Sequence, residues 1–191
     1  MNVIVVGATG TIGREVAGAL EPRHDVVRAS RTGSPRVDLT DLGSIGALAG
    51  ALSDADALVC CAASAPLTPL DDQGFFPSLQ GKLLGQVELA RTAIRHLRDG
   101  GSITLTSGQI PEATPGSAGG ALVNAGLEAF VQAAAAELSR GVRLNVVSPG
   151  WVRESLVALG MDGTGGTPAS VVAAAYVEAV EGSMQGEVLR R

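Results

Sequence analysis

Val3-Ile4-Val5-Val6-Gly7-Ala8-Thr9-Gly10-Thr11-Ile12-Gly13 sets a short apolar run against a glycine loop, and the loop against a stretch that reads as a helix from Thr11 to Leu20. Four consecutive apolar residues ending in glycine are the pattern of a strand buried on both faces of a parallel sheet. Glycines at 7, 10 and 13 permit a tight turn and a close backbone approach, and the following helix offers a diphosphate its free N–H groups and its positive end. Gly7, Thr9, Gly10, Thr11, Ile12 and Gly13 are therefore candidate dinucleotide contacts. The strand–loop–helix context separates this motif from a merely tight turn.

Outward from this unit the pattern repeats. A second strand is expected over Asp25 to Ser30, followed by the turn-rich Arg31-Thr32-Gly33-Ser34-Pro35. Val37-Asp38-Leu39 reads as a short third strand, Thr40 or Asp41 as the cap of a helix running to about Leu52, and Ala57 to Ala62 as a fourth strand. Leu79, Leu83, Val87, Ala90, Ile94 and Leu97 recur at helical spacing, and Ser102 to Thr106 is β-branched enough for a fifth strand. Val123, Leu127, Phe130, Val131, Ala134 and Leu138 mark another helix. A strand over Val142 to Val147, a helix over Thr167 to Glu181 and a stub at Glu187 to Leu189 complete the series. Alternating strands and helices in a chain of 191 residues predict one α/β domain, 1–191: a doubly wound Rossmann fold with helices on both faces of a parallel sheet.

Composition narrows the function. With 46% hydrophobic residues the chain can bury a core, yet its apolar runs are too short to cross a bilayer. No signal-peptide pattern precedes Val3, so a cytoplasmic protein without a membrane partner is expected. A net charge of −5 and the lack of a Lys/Arg cluster argue against nucleic acid. Cys60 and Cys61 are adjacent, too close for an ordinary disulfide and without metal-ligand spacing, and read as buried strand residues, so no metal site is expected. His24 and His96 read as solvated. At the end of the second strand, where an NAD site commonly carries a carboxylate for the ribose 2′-hydroxyl, stand Ser30 and Arg31. A guanidinium there pairs with a 2′-phosphate, which predicts NADP(H) in preference to NAD(H).

Taken together the chain resembles the short-chain dehydrogenase/reductase family over nearly its whole length. The resemblance rests on the glycine loop, on Asp38-Leu39 as the pair beside the adenine and on Cys61-Ala62-Ala63 after the fourth strand. It rests also on Ile103-Thr104-Leu105-Thr106-Ser107, on the Ala129 to Leu138 helix and on Asn145-Val146-Val147-Ser148-Pro149-Gly150. It is nearest to a small-sized bacterial subgroup sharing Lys82-Leu83-Leu84-Gly85-Gln86 and Asn124-Ala125-Gly126. The resemblance implies cofactor contacts at Asp38, Leu39, Cys61, Ala62, Pro149, Gly150 and Val152. It also implies a small-molecule substrate and a homodimer or homotetramer built on helices near Lys82 to Leu97 and Gly119 to Leu138.

The catalytic pattern departs from the family. In register with Ser107 and with Ala129-Phe130, the position of the family's tyrosine falls on Gly120 and that of its lysine on Asn124. Asn124 retains a hydrogen-bonding group for the nicotinamide ribose but no charge. Ser107 matches the serine that orients a substrate carbonyl. Lys82, the sole lysine of the chain, maps to the position of a structural asparagine, three residues before Gly85. Its amine can point to solvent or into the cleft; pointing inward, it becomes a substitute acid beside Ser107. Glu154 stands where relatives carry a phosphate-contacting threonine, a role that Ser155 can take instead. Three functions fit these residues: an oxidoreductase acting on a small carbonyl through Ser107 and Lys82, a redox-inert dinucleotide sensor, and a non-redox enzyme reusing the cleft.

Overall fold

The computed structural model describes residues 1–62, 67–110 and 114–191. Six parallel strands form one sheet in the order β2-β1-β3-β4-β5-β6: β1 Asn2–Val6, β2 Asp25–Ala29, β3 Ala57–Cys60, β4 Ser102–Thr106, β5 Arg143–Ser148 and β6 Val188–Arg190. Alternate side chains of each strand enter opposite cores. Ile4, Val6, Leu58, Cys60, Ile103, Leu105, Leu144 and Val146 face helices α5 (Gly85–His96) and α6 (Ala118–Ala135). Val3, Val5, Ala57, Val59, Val147 and Leu189 face α1 (Thr11–Leu20) and α8 (Ala169–Glu181). Both faces are covered, as the continuous apolar runs require. The strand order reverses direction at β1, with β2 on one side and β3 on the other, so a crevice opens beyond their carboxyl ends.

Three expectations are corrected. Val37-Asp38-Leu39 is not a strand: the place open to it is the outer edge of β2, and it does not extend along that edge. The segment makes one bridge, Ser30 with Arg36, and then folds into polar turns in which Asp38 N donates to Ser44 Oγ and Thr40 N to Asp38 Oδ1. The helix expected to reach Leu52 is broken into α2 (Leu42–Gly46), capped by Asp41, and α3 (Ala49–Ser53), with tight bonds such as Leu48 N to Ile45 O at the break. His24 is shielded rather than solvated: its Nε2 pairs with Glu181 Oε1 at 2.8 Å, and its side chain is 9% exposed.

Two departures from regular structure shape the site. Between α4 (Phe75–Ser78) and α5 the chain is π-helical over Leu79–Leu84, a wide turn of the sort frequent at functional sites. The β3–β4 ladder meanwhile ends at Val59 and Thr104, and the two strands splay apart. Buried Gln86 enters that gap. Its carboxamide accepts from Thr106 N and donates to Thr106 O and to Lys82 O, so polar backbone at the splay and in the π turn is paired by one side chain. The helix α7 (Arg153–Ala158) follows β5 and had no periodicity long enough to announce it.

Candidate functional site

A cleft of about 750 Å³ lies at the carboxyl ends of β1, β2 and β3. Gly7, Thr9, Gly10, Thr11 and Ile12 form one wall; Ser30, Arg31, Asp38 and Leu39 form a second; Cys61 and Ala62 lie between them. Lys82 closes the far end, and Ser155 joins the rim. Ala63, the third residue of the Cys61-Ala62-Ala63 stretch, lies outside the described residues.

The glycine loop is a cradle with no room for side chains. Gly7 has φ +82°, and a Cβ there would lie 2.7 Å from Ala62 N; a Cβ on Gly13 would lie 2.1 Å from Gly7 O. Gly13 thus serves from behind, by letting α1 close on the loop. Gly10 is the N-cap of α1; no side chain caps the helix and its first turn carries no acid. The helix therefore presents free N–H groups and uncompensated positive potential to the cleft, which fits a diphosphate. Beside it, the exposed Arg31 guanidinium makes no hydrogen bond or ion pair among the described residues. Two donors from Thr40, N–H and hydroxyl, hold the Asp38 carboxyl below its ordinary range.

At the other end Lys82 is 7% exposed, and its amine is fixed by two hydrogen bonds: Nζ donates to Ser107 O and to Asn124 Oδ1, each at 2.9 Å. The contact depends on helices meeting closely, which Gly126 permits, since a Cβ there would stand 3.2 Å from Leu83. Burial lowers the Lys82 pKa to about 8. Ser107 and Asn124 thus join Lys82 in one buried cluster, although of the three only Lys82 lines the cleft among the described residues.

The Ser107 hydroxyl has a partner that sequence reasoning missed. Glu128 Oε1 accepts from Ser107 Oγ at 3.0 Å and from Ser148 Oγ at 2.7 Å, while Arg190 donates to Glu128 Oε2 at 2.7 Å. Gly120, Asn124 and Glu128 are spaced four apart along α6 and so share a face; extending the Gly120–Asn124 spacing by one turn would have flagged Glu128. Pro149, Gly150 and Val152 adjoin this region without lining the cleft. Pro149 O accepts from Gln109 N and Gly150 N donates to Arg191 O, whereas Val152 is buried beside Thr167. Glu154 turns away from the cleft to accept from Ala169 N at the start of α8, which leaves Ser155 at the rim.

Below the floor, the chain's sole tyrosine is fully buried. Thr106 Oγ1 donates to Cys60 O and lies 2.6 Å from Tyr176 OH, which also bonds the Cys61 thiol. Burial drives the Cys60 thiol up to about 12 and raises Cys61 and Tyr176 well above their ordinary values. Tyr176 is thus a neutral strut under the splayed strands. Among the described residues no group of three His, Cys, Asp or Glu side chains could hold a metal, and no helix is long and apolar enough to cross a membrane.

Comparison with known proteins agrees with this architecture. The family model of enoyl-(acyl carrier protein) reductases matches residues 11–181. The chain is similar to the protein lin1944 from Listeria innocua, with 34% identity, 100% of this chain and 98% of that one covered, and a TM-score of 0.92. It is similar also to a small-chain dehydrogenase solved in complex with NADPH, with 30% identity, coverage of 100% and 96%, and a TM-score of 0.85. A short-chain dehydrogenase/reductase family protein matches at 28% identity, coverage of 100% and 94%, and a TM-score of 0.87. No curated protein matches the chain.

Proposed function

The chain belongs to the short-chain dehydrogenase/reductase family, and on that premise we propose that it binds NADP(H) in preference to NAD(H) and reduces a small carbonyl compound, with Lys82 as proton donor. One observation carries this reading: the ammonium that the family places on α6 is here supplied from the π-helical turn, at a position that lines the cleft and touches Asn124. A cation and an amide are both kept, on exchanged helices.

The residues present fit the cofactor. The glycine cradle and the uncapped start of α1 suit the diphosphate, and the free Arg31 with the Ser30 hydroxyl suits a 2′-phosphate. The NADPH held by the 30% identical relative supports the same assignment. When bound, NADPH supplies the hydride. Lys82 does the rest of the chemistry assigned to the protein: its third N–H, not taken by Ser107 O or Asn124 Oδ1, hydrogen-bonds the carbonyl oxygen and passes its proton there as negative charge builds. A pKa of about 8 makes it a readier donor than an ordinary lysine while leaving it mostly charged at neutral pH. Ser107 contributes its backbone carbonyl to hold Nζ, and Glu128 fixes its hydroxyl.

The test is NADPH oxidation across a panel of small aldehydes and ketones. Lys82→Met should lower turnover by roughly 10²-fold or more, with NADPH affinity by calorimetry changed less than twofold. Normal turnover in that variant would sink the assignment. Tight NADPH binding without oxidation of any panel member would favour the sensor reading.

A further inference from the structure

The two hydrogen bonds that hold Lys82 leave a particular atom geometry. Its nitrogen has four tetrahedral positions: the side-chain stem takes one, and Ser107 O and Asn124 Oδ1 take two, each at 2.9 Å. Among the described residues the fourth meets no acceptor, and no carboxylate pairs with the amine. In the ammonium that position is an N–H; in the neutral amine both N–H groups satisfy the same two acceptors and the fourth position becomes the lone pair. The side chain lines a cleft large enough for a small organic molecule beside it.

We propose that Lys82 is a nucleophilic amine that condenses with small aldehydes entering the cleft to form a covalent imine. The lone pair attacks the carbonyl carbon, a C–N bond forms, and the C=O π pair moves to oxygen, which takes a proton from cleft water. Loss of that hydroxyl as water, with the remaining protons leaving nitrogen, gives the C=N bond; nothing is oxidised or reduced. The acceptors favour this chemistry because both are neutral, so nothing in the cluster pins the amine in its charged form. Burial acts in the same direction. At pH 8 about half of the folded-state lysine is neutral, against roughly 0.4% of an ordinary one.

The proposal shares the cleft of the oxidoreductase reading but needs neither cofactor nor hydride transfer. The sole ε-amine in the sequence makes it directly measurable. The full chain is incubated at pH 8 with millimolar propanal and sodium cyanoborohydride, and propylation of the Lys82 peptide is followed by mass spectrometry. The native chain should be labelled at Lys82 at least about tenfold faster than the same lysine in urea, a margin set below the neutral-fraction ratio because a less basic amine is a weaker nucleophile. Lys82→Arg should take up no propyl group at that peptide, and NADPH shown by calorimetry to be bound should slow labelling of the wild type. Native labelling no faster than in urea overturns the proposal, as does labelling that bound NADPH leaves unchanged. A protein that labels rapidly but never oxidises NADPH loses the oxidoreductase reading and keeps this one; the reverse result does the opposite.

Discussion

Lys82→Met should change how stability depends on pH, and the direction follows from where the amine sits. In the folded chain its pKa is lowered from 10.5 to about 8 by burial at 7% exposure, so the unfolded chain holds a proton that the folded chain gives up between those values. Stability therefore rises with pH across that window; the penalty is full below pH 8 and gone above 10.5. The gap of about 2.5 between the two values corresponds to about 3 kcal/mol at pH 7, of which about 1.4 kcal/mol remains at pH 9.5. Methionine abolishes this dependence. It also strands Ser107 O and Asn124 Oδ1, at a cost of about 1–3 kcal/mol, but that cost does not titrate and cancels in a comparison across pH. Urea unfolding of both proteins at pH 7 and pH 9.5 should show the wild type gaining about 2 kcal/mol more than the variant. Parallel pH profiles would refute the argument, and a wild-type gain smaller than the variant's would mean that the ammonium has a counter-ion.

Other outcomes are expected from the same structure. Arg31→Ala should remove most of a preference for NADPH over NADH, a contact worth on the order of 1.5–3 kcal/mol; equal calorimetric affinities in the wild type would defeat the assignment. The activity of the wild type should fall as pH rises through about 8, where Lys82 loses its proton, and a steady-state profile flat to pH 10 would exclude it as the acid. Glu128→Ala removes the acceptor shared by Ser107, Ser148 and Arg190 and should lower stability by about 1–3 kcal/mol. Glu128→Gln should recover part of that loss; chemical denaturation with all three proteins unchanged would count against the cluster. We also propose a homodimer or homotetramer that covers exposed Leu84 and Leu122 beside α5 and on α6, and light scattering showing a monomer alone at micromolar concentration would overturn it.

The fold was legible where apolar residues ran continuously and illegible where polar chemistry decided. Val3 to Val6 and the run from Ala57 announce strands by continuous apolar residues and Ser102 to Thr106 by its β-branched ones, and the glycine loop after the first states its own purpose. Val37-Asp38-Leu39 has two apolar residues in alternation, the local look of a strand. Whether such a segment joins a sheet depends on what takes its backbone groups: the outer edge of β2 is open to it, but Ser44 Oγ and the Asp38 carboxylate accept from the N–H groups of Asp38 and Thr40 instead. Likewise nothing local in Leu79 to Leu84 marks a π turn; its Lys82 carbonyl is paired by Gln86, which also reaches across to Thr106.

The site shows the same division. Sequence register placed a glycine and an asparagine where a tyrosine and a lysine were expected, and placed the chain's one lysine where an asparagine was expected, but register assigns positions and not directions. Direction came from packing. Gly126 allows Leu83 to sit close against α6, the π turn sets Lys82 toward that helix, and the amine meets Asn124 and Ser107 O at 2.9 Å each. The amide on α6 therefore holds the amine of the π turn. At that place no carboxylate pairs with the amine among the described residues, and burial lowers its pKa. A cation presented from the π turn to an amide on α6 thus keeps a polar contact between the two elements, while burial sets the chemistry of the amine.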